Sequence, residues 1–170
     1  MTNFKKRTLL SSLFIWGATS LFAQHQKDDR HLNIGLGVGG NLGMPIGISY
    51  EHGFTEKISG GIYLGYARKS ESYDDAGQWK YSYLLVAARA SYHFKVNTEK
   101  FDPYIGAVLG YNISSVKWQG DSEAPASSSA GDIVIGGHLG SRYWFTEKVG
   151  AFAELGYGVG ILSLGITFKL

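Results

Sequence analysis

Between residues 31 and 170, apolar side chains return at every second position. The series runs Leu32, Ile34, Leu36, Val38, then Ile46, Ile48, Tyr50, then Ile62, Leu64, Tyr66. It continues with Leu84, Val86, Ala88, Ala90, Tyr92, then Ile105, Ala107, Leu109, Tyr111, then Ile133, Ile135, Leu139, Tyr143. It ends with Val149, Ala151, Ala153, Leu155, Tyr157, then Leu162, Leu164, Ile166, Phe168. A period of two is the signature of a strand with two unlike faces. The pattern predicts eight strands: 31–39, 45–54, 58–68, 81–94, 103–114, 132–145, 149–158 and 161–170. No charge interrupts the apolar face. The opposite face is mostly glycine, serine and isolated polar groups.

An internal repeat fixes how the strands are joined. Thr55-Glu56-Lys57 leads to Leu64-Gly65-Tyr66, Thr98-Glu99-Lys100 to Leu109-Gly110-Tyr111, and Thr146-Glu147-Lys148 to Leu155-Gly156-Tyr157. The interval from threonine to leucine is odd each time. Because side chains alternate, an odd interval keeps every copy on the same faces. The Thr-Glu-Lys triplets thus read as polar turns between paired strands. Each unit holds only two long strands, so the repeat is not a four-stranded propeller blade.

Two closed barrels could use this alternation. A soluble barrel would turn its apolar face inward and show water a surface of glycine with hardly any charge, which is a poor soluble surface. A membrane barrel turns the apolar face to lipid and encloses the small and polar residues. Eight strands leave an interior just wide enough for side chains to fill, which gives the glycines a purpose. The expected fold is therefore all-β: an eight-stranded antiparallel up-and-down transmembrane β-barrel.

Aromatic residues cluster at strand ends, as an interfacial girdle requires. Tyr50, Phe54, Tyr92, Tyr143 and Phe145 lie beside the turns; Tyr66, Tyr111 and Tyr157 lie at the far ends. From Ile58 to Tyr66, at ~3.3 Å per residue and a tilt near 40°, a strand covers roughly 20 Å of membrane thickness. Polar connections are expected at 69–80 and 115–131, the second a Ser/Ala/Gly-rich stretch with the marks of a mobile loop. The other two, 40–44 and 158–161, are short.

The first 23 residues stand apart. Lys5, Lys6 and Arg7 precede the apolar run "TLLSSLFIWGATSLF", which ends near Ala23. That is the layout of a secretory signal peptide, and its fifteen-residue apolar core is short against the roughly 20 a spanning helix needs. The expected organisation is a signal peptide at 1–23, a short periplasmic tail at 24–30 and the barrel at 31–170. The whole chain carries +2; without the three basic residues of the signal, the remainder carries −1. The basicity thus belongs to export, and no nucleic-acid partner is implied. There are no cysteines, hence neither disulfides nor a lipidated N-terminal cysteine.

The charges that remain on the inward face are the candidate site. Glu51, Arg89, Arg142, Glu154 and Lys169 share inward parity, with His93 and His138 of similar placement. A charge in a narrow interior needs a partner, so a lumen network of Glu51 and Glu154 with Arg89, Arg142 or Lys169 is expected. It reads as a structural plug, with a proton or ion path as the alternative. "GLGVGG" at 35–40 matches a dinucleotide-binding fingerprint literally but lacks the following helix. Ser91 with His93, and His138 with Ser141, do not have the spacing of a nucleophile and its base. Five scattered histidines give no metal site, and no cofactor is expected. Arg68, Lys69, Lys80 and Lys117, near the outer rim, could meet lipopolysaccharide phosphates or simply be solvated.

The stretches "GISYEHGFTEKISGGIYLGY", "DPYIGAVLGYN", "FAELGYG" and "LSLGITFKL" resemble the small eight-stranded outer-membrane β-barrel proteins of the OmpA/OmpX type, over about 31–170. One departure is the end of the chain, Leu170 with Phe168 two residues back, where such proteins usually carry a terminal aromatic read by the barrel-assembly machinery. The resemblance implies the outer membrane of a Gram-negative bacterium, both termini in the periplasm, and outer-membrane lipid and the assembly machinery as partners. The expected function is non-enzymatic: an envelope-structural or surface-recognition role through 69–80 and 115–131. The alternatives are a narrow, porin-like pore or carrier for small or apolar molecules and, less favoured, a lipid A-modifying barrel enzyme.

Overall fold

The structure, a computed structural model, describes residues 24–39, 45–73, 77–120, 127–156 and 160–170. The signal-peptide assignment, Tyr157 and the connection 40–44 lie outside them. Eight strands form a barrel closed in chain order: β1 (Arg30–Val38), β2 (Ile46–Gly53), β3 (Ile58–Tyr73), β4 (Gly77–His93), β5 (Phe101–Gln119), β6 (Ser128–Trp144), β7 (Val149–Gly156) and β8 (Leu162–Lys169). Every neighbouring pair is antiparallel, and β1 closes the cylinder against β8.

Register follows side-chain parity. Leu32 lies opposite Tyr50 and Phe168, Ile34 opposite Ile48 and Ile166, and Leu64 opposite Ile48 and Val86. Apolar residues thus meet apolar residues around the middle of the outer surface, because a slip of one position would drive them inside. Ile135 is 78% exposed and Leu109 58%, while the inward Glu51 and Arg142 are 0% exposed. A water-soluble protein does not present such a belt and bury such charges; a lipid-facing barrel does.

Two of the three Thr-Glu-Lys turns have the same geometry. The Thr55 hydroxyl accepts hydrogen bonds from the Lys57 and Ile58 amides (3.2 and 3.0 Å), and Thr146 does the same for Lys148 and Val149 (3.3 and 3.0 Å). The Phe54 and Phe145 amides close the turns onto the Ile58 and Val149 carbonyls. A threonine side chain here satisfies amides that a tight turn leaves without a partner. The middle copy is a longer connection, because β5 begins only at Phe101.

The described residues of the segments expected as loops at 69–80 and 115–131 are mostly strand. β3 pairs with β4 as far as Tyr73↔Gly77, β4 with β5 as far as Gln78↔Gln119, and β5 with β6 as far as Val116↔Ser128. Serine, lysine and glutamate disfavour strands on propensity, but here the ladder hydrogen bonds and the interleaved Tyr81, Tyr83, Val116 and Trp118 carry the pairing onward. Consequently β3–β6 are 16, 17, 19 and 17 residues long, against 8 or 9 for the other four. One half of the barrel rises as a wall above the other, at the end opposite the Thr-Glu-Lys turns. From Tyr66 to Tyr73, at ~3.3 Å per residue, the wall extends roughly 23 Å along the strand.

The described aromatics at strand ends fall at two levels. Tyr50, Phe54, Tyr92, Tyr143 and Phe145 point outward at the turn end, and Tyr66 and Tyr111 point outward near the base of the wall.

Candidate functional site

The lumen is filled from the turn end upward. Residues 24–29 fold back as a cap. The Gln24 carboxamide donates to the carbonyls of Val96 and, at 2.9 Å, Thr98. Asp28 N donates to the Gly53 carbonyl, Gly53 N to the Asp29 carbonyl, and the Asp29 carboxylate pairs with Lys169 at 2.8 Å. His25 is buried, stacked on His93 with ring centres 3.9 Å apart, and its Nε2 donates to the Thr55 carbonyl at 3.0 Å. Its pKa is lowered to about 4, by burial first and then by the charge of His93. Docked His25 is therefore the neutral ring.

Above the cap lies the charged core. Arg142, wholly buried, donates to Glu51 at 2.6 Å and to Asp102 at 3.1 Å, and its guanidinium stacks 4.6 Å from the Tyr104 ring centre. Arg89 donates to Glu154 at 2.7 Å and sits 3.5 Å from Glu51. Tyr104 donates its hydroxyl hydrogen to the same Glu154 oxygen at 3.0 Å, and Asn33 donates to Glu51 at 2.9 Å. His138 Nε2 accepts from Arg89 (3.1 Å) and Ser91 (2.9 Å). Of the five charges singled out in the sequence, Glu51, Arg89, Arg142 and Glu154 form one network. Lys169 does not join it: its strand position places it at the rim, where Asp29 is the nearer carboxylate.

Asp102, Ser59, Asn33 and Tyr104 belong to the site without having been expected there, and Asp102 lies just before the strand expected at 103–114. Inward parity was the signal available for Ser59 and Asn33. Asp102 matters most, because it belongs to a chain Ser59–His93–Asp102 with contacts of 2.9 and 2.7 Å. The spacing is that of a nucleophile, base and acid. The Ser59 hydroxyl, however, also lies 3.1 Å from Glu51 Oε2, and Ser59 is fully buried with the cap beneath it. The two serine–histidine pairs considered in the sequence, Ser91 with His93 and His138 with Ser141, are not formed; Ser91 meets His138 instead.

A serine has a single hydroxyl hydrogen, so Ser59 donates to Glu51 or to His93 but not to both, while His93 Nδ1 faces the Asp102 carboxylate.

Towards the wall the lumen becomes apolar. Leu85, Ala87, Val108 and Val134 pack together with Tyr63 beside them. Between this cluster and the charged core is a cavity of about 20 Å³, lined by Asn33, Ser49, Arg89, Glu154 and Ser163 among others. That is room for a single water with polar partners. The lumen glycines make space for large side chains lying flat: a Cβ on Gly140 would stand 2.6 Å from Tyr104 Cζ, and one on Gly35 2.7 Å from Phe152 Cζ. Among the described residues, no group of three His, Asp or Glu side chains is placed to hold a metal ion.

The second polar site is the inner face of the wall. Trp79 and Trp118 pair across β4 and β5, edge to face at 5.1 Å, and Lys69 pairs with Glu71 at 2.7 Å. Tyr81 and Tyr83 continue the same face, and the Trp118 indole N–H has no acceptor among the described residues.

Solved structures settle the architecture. The N-terminal β-barrel domain of Pseudomonas aeruginosa OprF superposes with a TM-score of 0.59 at 19% identity, covering 85% of this chain and 98% of that one. The chain has the fold of the small eight-stranded outer-membrane barrels. Outer membrane protein OprG of Pseudomonas aeruginosa matches with a TM-score of 0.58 at 13% identity over 88% of this chain and 99% of its own. Ail, the attachment invasion locus protein of Yersinia pestis, solved with the heparin analogue sucrose octasulfate, matches at 0.55 and 14% identity over 85% and 96%. No family profile and no curated protein matches the sequence.

Proposed function

We propose that this chain is a non-enzymatic outer-membrane protein that acts in recognition at the cell surface, through the β3–β6 wall. The observation that carries this reading is the asymmetry of the barrel. β3–β6 continue past the Tyr66–Tyr111 ring, whereas β1, β2, β7 and β8 end. Short turns at one end and long extensions at the other are the pattern of barrels whose turns face the periplasm. On that basis the Thr-Glu-Lys turns and both termini are periplasmic and the wall stands outside. A rigid hairpin wall with Trp79, Tyr81, Tyr83 and Trp118 on its inner face supplies flat contact area at little entropic cost. Ail, an attachment protein, shares the fold.

The test is to shorten both hairpins to the level of Tyr66–Leu84 and Tyr111–Ile133 and present both proteins in nanodiscs to immobilised glycans and matrix proteins. Expected is binding by the unaltered protein, lost on shortening while the barrel persists. Binding retained by the shortened barrel, or absent from the unaltered one, would overturn the reading. The pore alternative is disfavoured by the filled lumen, and single-channel current through the unaltered barrel would restore it.

A further inference from the structure

The outer face of the wall carries a feature that the recognition reading does not use. Arg68 on β3, Lys80 on β4 and Lys117 on β5 share outward parity. Lys80 lies directly opposite Lys117, and Arg68, opposite Ser82, is diagonal to Lys80. Like charges directly opposite on a sheet are destabilising, with Cβ atoms only ~5 Å apart and diagonal neighbours within roughly 8 Å. No carboxylate shares this face on β3–β6 among the described residues: Glu71 and Asp132 have inward parity, and Glu71 is held by Lys69. Three cations thus stand together with their countercharge unsupplied by the described protein.

Height says what supplies it. Arg68 is two residues beyond Tyr66, and Lys80 is level with Ser70, four residues beyond it. At ~3.3 Å per residue and a tilt near 40°, those positions lie about 5 and 10 Å above the aromatic ring. The polar headgroup layer of a bilayer occupies about 5–8 Å on each side of the hydrocarbon. Arg68 therefore stands at headgroup level on the surface that faces lipid, and Lys80 and Lys117, rooted just above that layer, reach it with their long flexible side chains.

We propose that Arg68, Lys80 and Lys117 form a binding site for the phosphate groups of a phosphorylated lipid in the surrounding leaflet. The proposal rests on the wall standing above the membrane, and it is separate from what the inner face binds. Phosphate oxygens accept charge-assisted hydrogen bonds from guanidinium and ammonium groups, relieve the Lys80–Lys117 repulsion, and hold the lipid against β3–β5. Inward-facing Lys69, already paired, takes no part.

The test uses the full mature barrel in phosphatidylcholine nanodiscs, titrated with diphosphorylated lipid A, with the same lipid dephosphorylated, and with inorganic phosphate, read by native mass spectrometry. Expected is a preference for the phosphorylated lipid that falls roughly fivefold for each cation exchanged to glutamine, disappears in Arg68→Gln/Lys80→Gln/Lys117→Gln, and survives Lys69→Gln. Equal retention of both lipids, a triple variant that keeps the preference, or inorganic phosphate binding as tightly as the lipid would overturn the proposal. Lys117→Gln alone, at an exposed position, gives the same reading should the triple variant misfold. Gel mobility before and after boiling reports insertion separately, so a failure of the membrane reading is told apart from a failure of the site.

Discussion

Exchange of Arg142 for methionine tests whether the lumen charges act as one structure. Methionine keeps the bulk of the side chain and removes the charge. Arg142 makes two charge-assisted hydrogen bonds, to Glu51 and Asp102, and covers the Tyr104 ring; nothing of it reaches solvent. Its loss leaves Glu51 with Arg89 at 3.5 Å, Asn33 at 2.9 Å and Ser59 at 3.1 Å, and Asp102 with His93 alone. Removing one partner of a buried ion pair costs about 3–5 kcal/mol, because the other charge stays buried without compensation. Against a total stability of about 5–15 kcal/mol, that is a large fraction. The assay is reversible urea unfolding from lipid vesicles, followed by fluorescence of Trp144, which lies buried beside His31. Adding Glu51→Gln to Arg142→Met should restore part of the loss, since contacting members of one network are non-additive by about 0.5–3 kcal/mol. A single-variant loss below about 1 kcal/mol, or strict additivity of the pair, would refute a coupled plug.

Three further outcomes are expected. The cap at 24–29 should loosen with acid: docked His25, with its pKa near 4, is neutral, while the released ring titrates near 6.5. Docking is thus fully favoured above pH 6.5 and is lost progressively as pH falls towards 4; a spin label at Lys27→Cys should gain mobility over that window, and His25→Phe should abolish the dependence. Gly140→Ala places a methyl group against Tyr104 and displaces its hydroxyl from Glu154, for a loss of about 1–3 kcal/mol in the same unfolding assay; no loss would mean that Tyr104 is free to move. Thr146→Ala removes the acceptor for two turn amides and should cost about 1–2 kcal/mol, whereas Thr146→Ser, which keeps the oxygen, should cost less.

The barrel was legible in the sequence because lipid on one side and a crowded lumen on the other force strict alternation. Ile34, Ile48 and Leu64 could be placed outward without knowing their neighbours, since parity alone assigns the face. The charges were legible for the same reason: Glu51, Arg89, Arg142 and Glu154 had to point inward, and a narrow lumen had to pair them. Which charge meets which was not legible. Lys169 is equal to the others by parity, but pairing depends on depth along the barrel axis, and its depth is that of Asp29. Asp102 escaped because a residue before proline reads as turn, although its carboxylate is fixed by His93 and Arg142. The wall escaped because a polar strand paired on both sides has the composition of a loop; only the continued ladder distinguishes them. The tail at 24–29 carries no pattern, since its place is set by Gly53, Thr55 and Thr98 far along the chain.

The direction of the two faces is the claim on which the rest depends. The absence of native cysteine makes it directly measurable: single cysteines at Leu109 and at Val108, adjacent in sequence and opposite in direction, can each carry a spin label in lipid vesicles. Collision with oxygen, which concentrates in the hydrocarbon, should be high for the label at Leu109 and low for the one at Val108, with little access of a water-soluble relaxer to either. The reverse order, or a chain that stays a soluble monomer without detergent and shields Leu109, would contradict the account.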